Sequence, residues 1–145
     1  MYINEETWRT KEETRSEALY IWQQIKECIY KGVNKEGVLP GGLNVTRRAA
    51  DFNRKLLGED VIYKNINEWF AAVKNSPKDF NQITRWISCF ALAVNEENAS
   101  FGRIITAPTN GASGVIPAVL MYSQSFTEFN SEEDIIRFIV GAGEI

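Results

Sequence analysis

The sequence predicts an all-α fold, on three observations. Apolar residues recur every three or four positions in several long stretches, glycine and proline gather between those stretches, and one short stretch alone, Arg103–Thr106, reads as extended. At 145 residues the chain fits one domain, and a domain of that size buries roughly 70% of its unfolded surface. A hydrophobic share of 44% with 24% charged residues is ordinary for a folded domain and unlike a disordered one.

From Asn4 to Gly32 the apolar positions Ala18, Ile21, Trp22, Ile25, Cys28 and Ile29 mark the buried face of one long helix. Its first half, "EETWRTKEETRSE", is almost wholly polar and is expected to face solvent or another part of a larger assembly. "NKEGVLPGGLN" ends that helix in a loop that needs unusual backbone angles. Val45, Ala49, Phe52 and Leu56 then give a helix that stops at Gly58, and a short helix spans Ile66 to Val73. Ser76-Pro77 reads as an N-cap and first helical residue for a helix reaching Ala99. Helix resumes near Gly114 with Pro117 in its first turn, and Ser131 with Asp134 forms a capping-box start for a last helix. The final "FIVGAGEI" stops within an apolar helical pattern, without a polar tail or cap, and reads as a cut end.

A formal net charge of −3 and no basic cluster beyond Arg47-Arg48 argue against nucleic-acid partners. No apolar run approaches the ~18 residues of a membrane span, and the charged N-terminus suits neither a secretory nor a transit signal, so a cytoplasmic location is expected. Cys28 and Cys89 sit in separate helical patterns, as buried thiols would. There is no histidine, which removes a Ser-His-Asp triad and any histidine metal site. No lysine carries a local signature of a pyridoxal-phosphate Schiff base.

The stretch richest in possible chemistry is "GRIITAPTNGASGVIPAVL", Gly102 to Leu120. Pro108 turns Ala107 away from helix, and Gly111 and Gly114 permit positive φ. A helix starting there would present the amides of Ala112 to Val115 to a carboxylate or phosphate, with Thr106, Thr109, Asn110 and Ser113 as short polar groups around it. A simple turn between two buried elements explains the same letters. Glu96 and Glu97 in "NEEN" point about 100° apart on a helix, so they do not form a facing acid-base pair; either one enters a site, or both lie at the surface.

"GRIITAPTNGASGVIPAVL" and the preceding "FALAVNEENASF" resemble the α (catalytic) domain of the iron-sulfur-dependent L-serine dehydratases, and "EGVLPGGLNVTRRA" is similar to a second block of that family in the same order. The resemblance implies an enzyme converting L-serine to pyruvate and ammonia, with a four-iron four-sulfur (4Fe-4S) cluster acting as Lewis acid. It implies catalytic roles for Thr109 and Asn110, and substrate binding by Thr106, Gly111, Ala112, Ser113 and Gly114, with Thr109, Asn110 and Gly111 at the serine carboxylate. Where many relatives carry a cluster cysteine this chain has Ser113, a harder and less acidic ligand. Three thiolates are needed for a cluster with one open iron, and the chain has two cysteines. Residues 1–145 are therefore expected to be part of the catalytic domain, without the β domain or the C-terminal cluster cysteines, inactive and metal-free alone. The implied partners are L-serine, the remainder of the enzyme and, through apolar helix ends, a second copy of the chain. The alternative is a non-catalytic interaction or regulatory paralogue that kept the fold, with Ser113 as its mark.

Overall fold

The computed structural model describes residues 2–102 and 111–143, and these form an all-α fold. The helices are α1 (Tyr2–Glu5), α2 (Lys11–Gly32), α3 (Ala49–Leu57), α4 (Ile66–Asn75), α5 (Phe80–Ala99), α6 (Ala112–Phe126) and α7 (Glu132–Ala142). Among the described residues the only β pairing is an isolated bridge between Val38 and Thr46. The extended stretch expected at Arg103–Thr106 lies outside the described residues.

Helix α5 is the axis of the packing, with α6, α2 and α3 laid against it and α7 on α2. It can take neighbours on several sides because Trp86, Cys89, Phe90, Ala93 and Val94 are all buried, a wider apolar stripe than a surface helix carries. Trp86 and Phe90 stack at 5.4 Å between ring centroids, and Trp69 of α4 meets Phe90 edge-on at 6.3 Å. The indoles of Trp69 and Trp86 each keep a hydrogen-bond partner. Trp69 Nε1 donates to Asn53 Oδ1 at 3.0 Å, and Trp86 Nε1 donates to Ser76 Oγ at 2.9 Å.

The structure corrects four sequence expectations about element boundaries. The long first helix is two, because Thr10 takes an extended backbone and closes a reciprocal capping box with Glu13. That amide hydrogen bond from Thr10 also holds the Glu13 carboxyl below its usual range. Helix α3 begins at Ala49 rather than Val45: Leu39 N donates to Val45 O and Arg47 N to Gly37 O, both at 2.8 Å, tying residues 37–47 into a closed loop. The loop turns through positive φ at Gly37, Gly41 and Asn44. Ser76 closes α4 instead of opening α5, donating its hydroxyl to Val73 O at 2.7 Å, while Asp79 caps α5 by accepting from Asn81 N and Gln82 N at 3.1 Å. Helix α6 starts at Ala112, which moves Pro117 from the first turn into the helix interior, where its ring removes the N–H that would bond the Ser113 carbonyl.

The Ser131–Asp134 capping box is present as the sequence indicates. Gly143 follows α7 with a right-handed backbone, its N–H donating to Ile139 O at 3.2 Å as in a further helical turn.

Helix α2 crosses α5 at a point of backbone contact. A Cβ on Gly32 would sit 2.5 Å from the Ala93 carbonyl oxygen and 2.8 Å from Ala93 Cβ, atoms that cannot swing aside. Gly32→Ala is expected to separate the two helices and lower unfolding stability by about 1–3 kcal/mol. Chemical denaturation checks this, and an unchanged midpoint would refute the close crossing.

Candidate functional site

The end of α5 and the start of α6 form a polar junction inside an otherwise apolar packing. "NEEN" occupies the last turns of α5, where a carboxylate faces the negative end of the helix dipole and needs a partner to be held there. Both acids are buried, at 3% exposure for Glu96 and 4% for Glu97. The sequence reading, which left at least one of them to solvent, is corrected on this point.

Glu96 caps another helix. Its carboxylate accepts from Arg48 N at 2.7 Å and Ala49 N at 3.3 Å, the first amides of α3, whose own N-cap residue makes no side-chain bond. Glu97 lies 2.8 Å from Arg47 Nη2 and 3.6 Å from Lys35 Nζ. The same Nη2 donates to the Glu96 carbonyl at 3.2 Å and to Ser100 Oγ. The Arg47 side chain is 1% exposed, and its Nη1 has no hydrogen-bond partner. Adjacent residues of one helix thus reach into different places, as their angular separation requires: Glu96 to α3, Glu97 to the loop that precedes it.

Facing this junction, Asn98 Nδ2 donates to Ser113 Oγ at 3.3 Å, and the Asn95 amide lies against Gly114. An added Cβ on Gly114 would fall 2.6 Å from Asn95 Oδ1. Of the site residues proposed from sequence, Ser113 and Gly114 are buried here, Ala112 is half-buried, and Gly111 is exposed at the N-cap with no side-chain capping bond. Thr106, Thr109 and Asn110 lie outside the described residues.

The anion-site expectation narrows. The amides of Gly114 and Val115 turn back to the Gly111 carbonyl at 3.3 and 3.4 Å, so an anion at this terminus would meet only donors ahead of Gly114. A separate cleft of about 300 Å³ beside α3 has a polar wall that satisfies itself, with Asn53 Nδ2 donating to Tyr63 OH and Tyr63 OH to Asn34 Oδ1.

Cys28 and Cys89 are free and buried, as their helical pattern indicated. Burial, reinforced by the charge of Glu97, pushes the Cys28 thiol up to about 11; burial and then Glu96 push Cys89 up to about 12. Burial and a neighbouring carboxylate thus both disfavour the thiolate form that a metal would need. Among the described residues no group of three or more acidic, cysteine or histidine side chains is placed to hold a metal ion. The described residues therefore do not fit an iron-sulfur cluster.

Sequence reasoning missed Arg47, Lys35, Ser100 and Asn95 as parts of this junction. The available signal was electrostatic: two adjacent acids at the C-terminal end of a helix are out of place unless cations or foreign amides meet them.

A family model described as serine dehydratase alpha chain matches residues 1–145. The L-serine dehydratase of Streptomyces coelicolor is 43% identical over 145 residues, which cover 100% of this chain and 28% of that protein. L-serine dehydratase 1 of Escherichia coli is 42% identical over 142 residues, with 98% of this chain and 28% of the relative covered. The L-serine dehydratase of Helicobacter pylori is 36% identical over 127 residues, 86% of this chain and 25% of the relative. The chain thus spans little more than a quarter of the length of these relatives.

Two outcomes follow from the junction. Arg47→Met or Glu97→Met alone should cost about 3–5 kcal/mol by stranding a buried charge, whereas the double variant should recover most of that loss. A urea-unfolding double-mutant cycle measures it, and additive losses would contradict a direct pair. In native protein at pH 8 neither cysteine should react appreciably with a disulfide reagent, while both should react once denatured; fast native labelling would contradict the raised thiols.

Proposed function

Because the chain belongs to the serine dehydratase alpha-chain family, we propose that the whole protein of which it is a part converts L-serine to pyruvate and ammonia. The observation that carries this reading is identity of about 40% along the full chain to relatives named L-serine dehydratase, with the α5–α6 junction inside the matched region.

Within that enzyme this chain's part is substrate holding. The start of α6 at Gly111, Ala112 and Ser113 offers amides and a favourable dipole to the serine carboxylate, and the family resemblance assigns Thr106, Thr109 and Asn110 to the same substrate. Glu96, Glu97 and Arg47 hold α3 and α5 together behind the junction, so the donors keep their geometry when charge arrives.

The reading includes a four-iron four-sulfur cluster in the complete enzyme, which would supply Lewis-acid activation of the leaving hydroxyl when bound. Cys28 and Cys89 do not suit it, so its cysteine ligands belong to the rest of the protein, together with the β domain. Among the described residues no helix is long and apolar enough to cross a membrane, and the enzyme is read as cytoplasmic.

The test is the complete protein, reconstituted anaerobically with iron and sulfide and assayed with L-serine. Release of pyruvate and ammonia with charge-transfer absorbance is expected; a colourless product without lyase activity would defeat the reading and favour a non-catalytic paralogue. In the active protein, Asn110→Ala should lower kcat/KM by about a hundredfold without moving the thermal midpoint. Unchanged kinetics would remove Asn110 from the site.

A further inference from the structure

An α-amino acid carries its carboxylate and ammonium on the same carbon. A site that grips the carboxylate at the start of α6 must therefore place an acceptor for the ammonium within a few ångströms. The carboxylates and the hydroxyl nearby each face a cation or a donor, though Glu97 Oε1, 2.8 Å from Arg47 Nη2, accepts no hydrogen bond. Glu96 receives the Arg48 and Ala49 amides, Glu97 faces Arg47 and Lys35, and the Ser113 hydroxyl receives Asn98.

Asn95 is different. It stands one turn before Asn98 on α5, is exposed, and its side-chain amide makes no hydrogen bond with any described residue. Asparagine is a poor helix former, and this one neither caps a helix nor bonds back to the preceding turn. Its amide nevertheless reaches the first turn of the neighbouring helix: a Cβ on Gly114 would lie 2.6 Å from Oδ1 and 3.0 Å from Nδ2. The absence of a side chain at Gly114 leaves the place that the amide fills. A side-chain amide with no hydrogen-bond partner among the described residues thus stands beside the turn that carries Ser113.

We propose that Asn95 Oδ1 accepts a hydrogen bond from the ammonium group of the amino-acid substrate, which makes Asn95 a substrate-binding residue that distinguishes an amino acid from a hydroxy acid. This rests on the reading that L-serine is held by its carboxylate at the start of α6.

The test uses the complete enzyme with Asn95→Ala and Asn95→Asp, measuring KM for L-serine and the inhibition constant of 3-hydroxypropanoate, which keeps the carboxylate and hydroxyl but lacks the ammonium. Asn95→Ala should raise KM by about tenfold or more, the loss of one charge-assisted hydrogen bond, and leave the inhibition constant within about twofold. Asn95→Asp restores an acceptor and should keep KM within about threefold. A KM unaffected by Asn95→Ala, or a parallel rise in KM and inhibition constant, overturns the assignment while wild-type turnover of L-serine leaves the parent reading standing. Absence of that turnover in the wild type would overturn both.

Discussion

The described part of the molecule depends on the burial of one ion pair, Arg47 with Glu97. Guanidinium stays charged at any accessible pH, and removing it from water is costly unless a carboxylate and further acceptors surround it. Here Glu97, the Glu96 carbonyl and Ser100 Oγ meet its Nη2, all from the last turn of α5 and the residue that follows it, while Nη1 has no partner. The next carboxylate along, Glu96, takes the opposite kind of partner, the partial positive charge at the start of α3. One dipeptide thereby fastens a loop and a helix to the central helix, and the registration of α3 on α5 follows from it.

This arrangement explains why a polar junction survives in a molecule whose core is dominated by Trp69, Trp86 and Phe90. Hydrophobic burial can press α6 against α5, but it does not fix where along α5 the first turn of α6 stands. Specific contacts do: the Asn98–Ser113 hydrogen bond, and the close steric fit of the Asn95 amide over Gly114. Gly102, whose added Cβ would meet Glu97 Oε2 at 2.8 Å, carries the same constraint to the point where α5 gives way to the following segment. A site built there inherits positions set by buried charge rather than by the segment itself.

Some local signals in the sequence carry through to the structure, and contacts between distant residues do not show in it. The Ser131–Asp134 capping box is a spacing between neighbours, and it holds. The equivalent Thr10–Glu13 spacing was present too, but a continuous polar run concealed the break between α1 and α2. Ser76-Pro77 has the letters of a helix start; the Ser76 hydroxyl is instead occupied by the Trp86 indole ten residues later, a tertiary contact no local pattern encodes. Burial of Glu96 depends on amides 48 residues earlier in the chain, so composition and periodicity could not reveal it. The family resemblance reached further than the physics, because long shared blocks identify the family even where the role of each residue is not legible.

The central claim is that the start of α6, held by the α5 junction, receives the charged end of the substrate. The most direct measurement is a crystal structure of the complete protein with a serine-sized carboxylate bound. The account predicts carboxylate oxygens about 3 Å from the amides ahead of Gly114. A carboxylate bound elsewhere, with that turn sealed by protein, would contradict it.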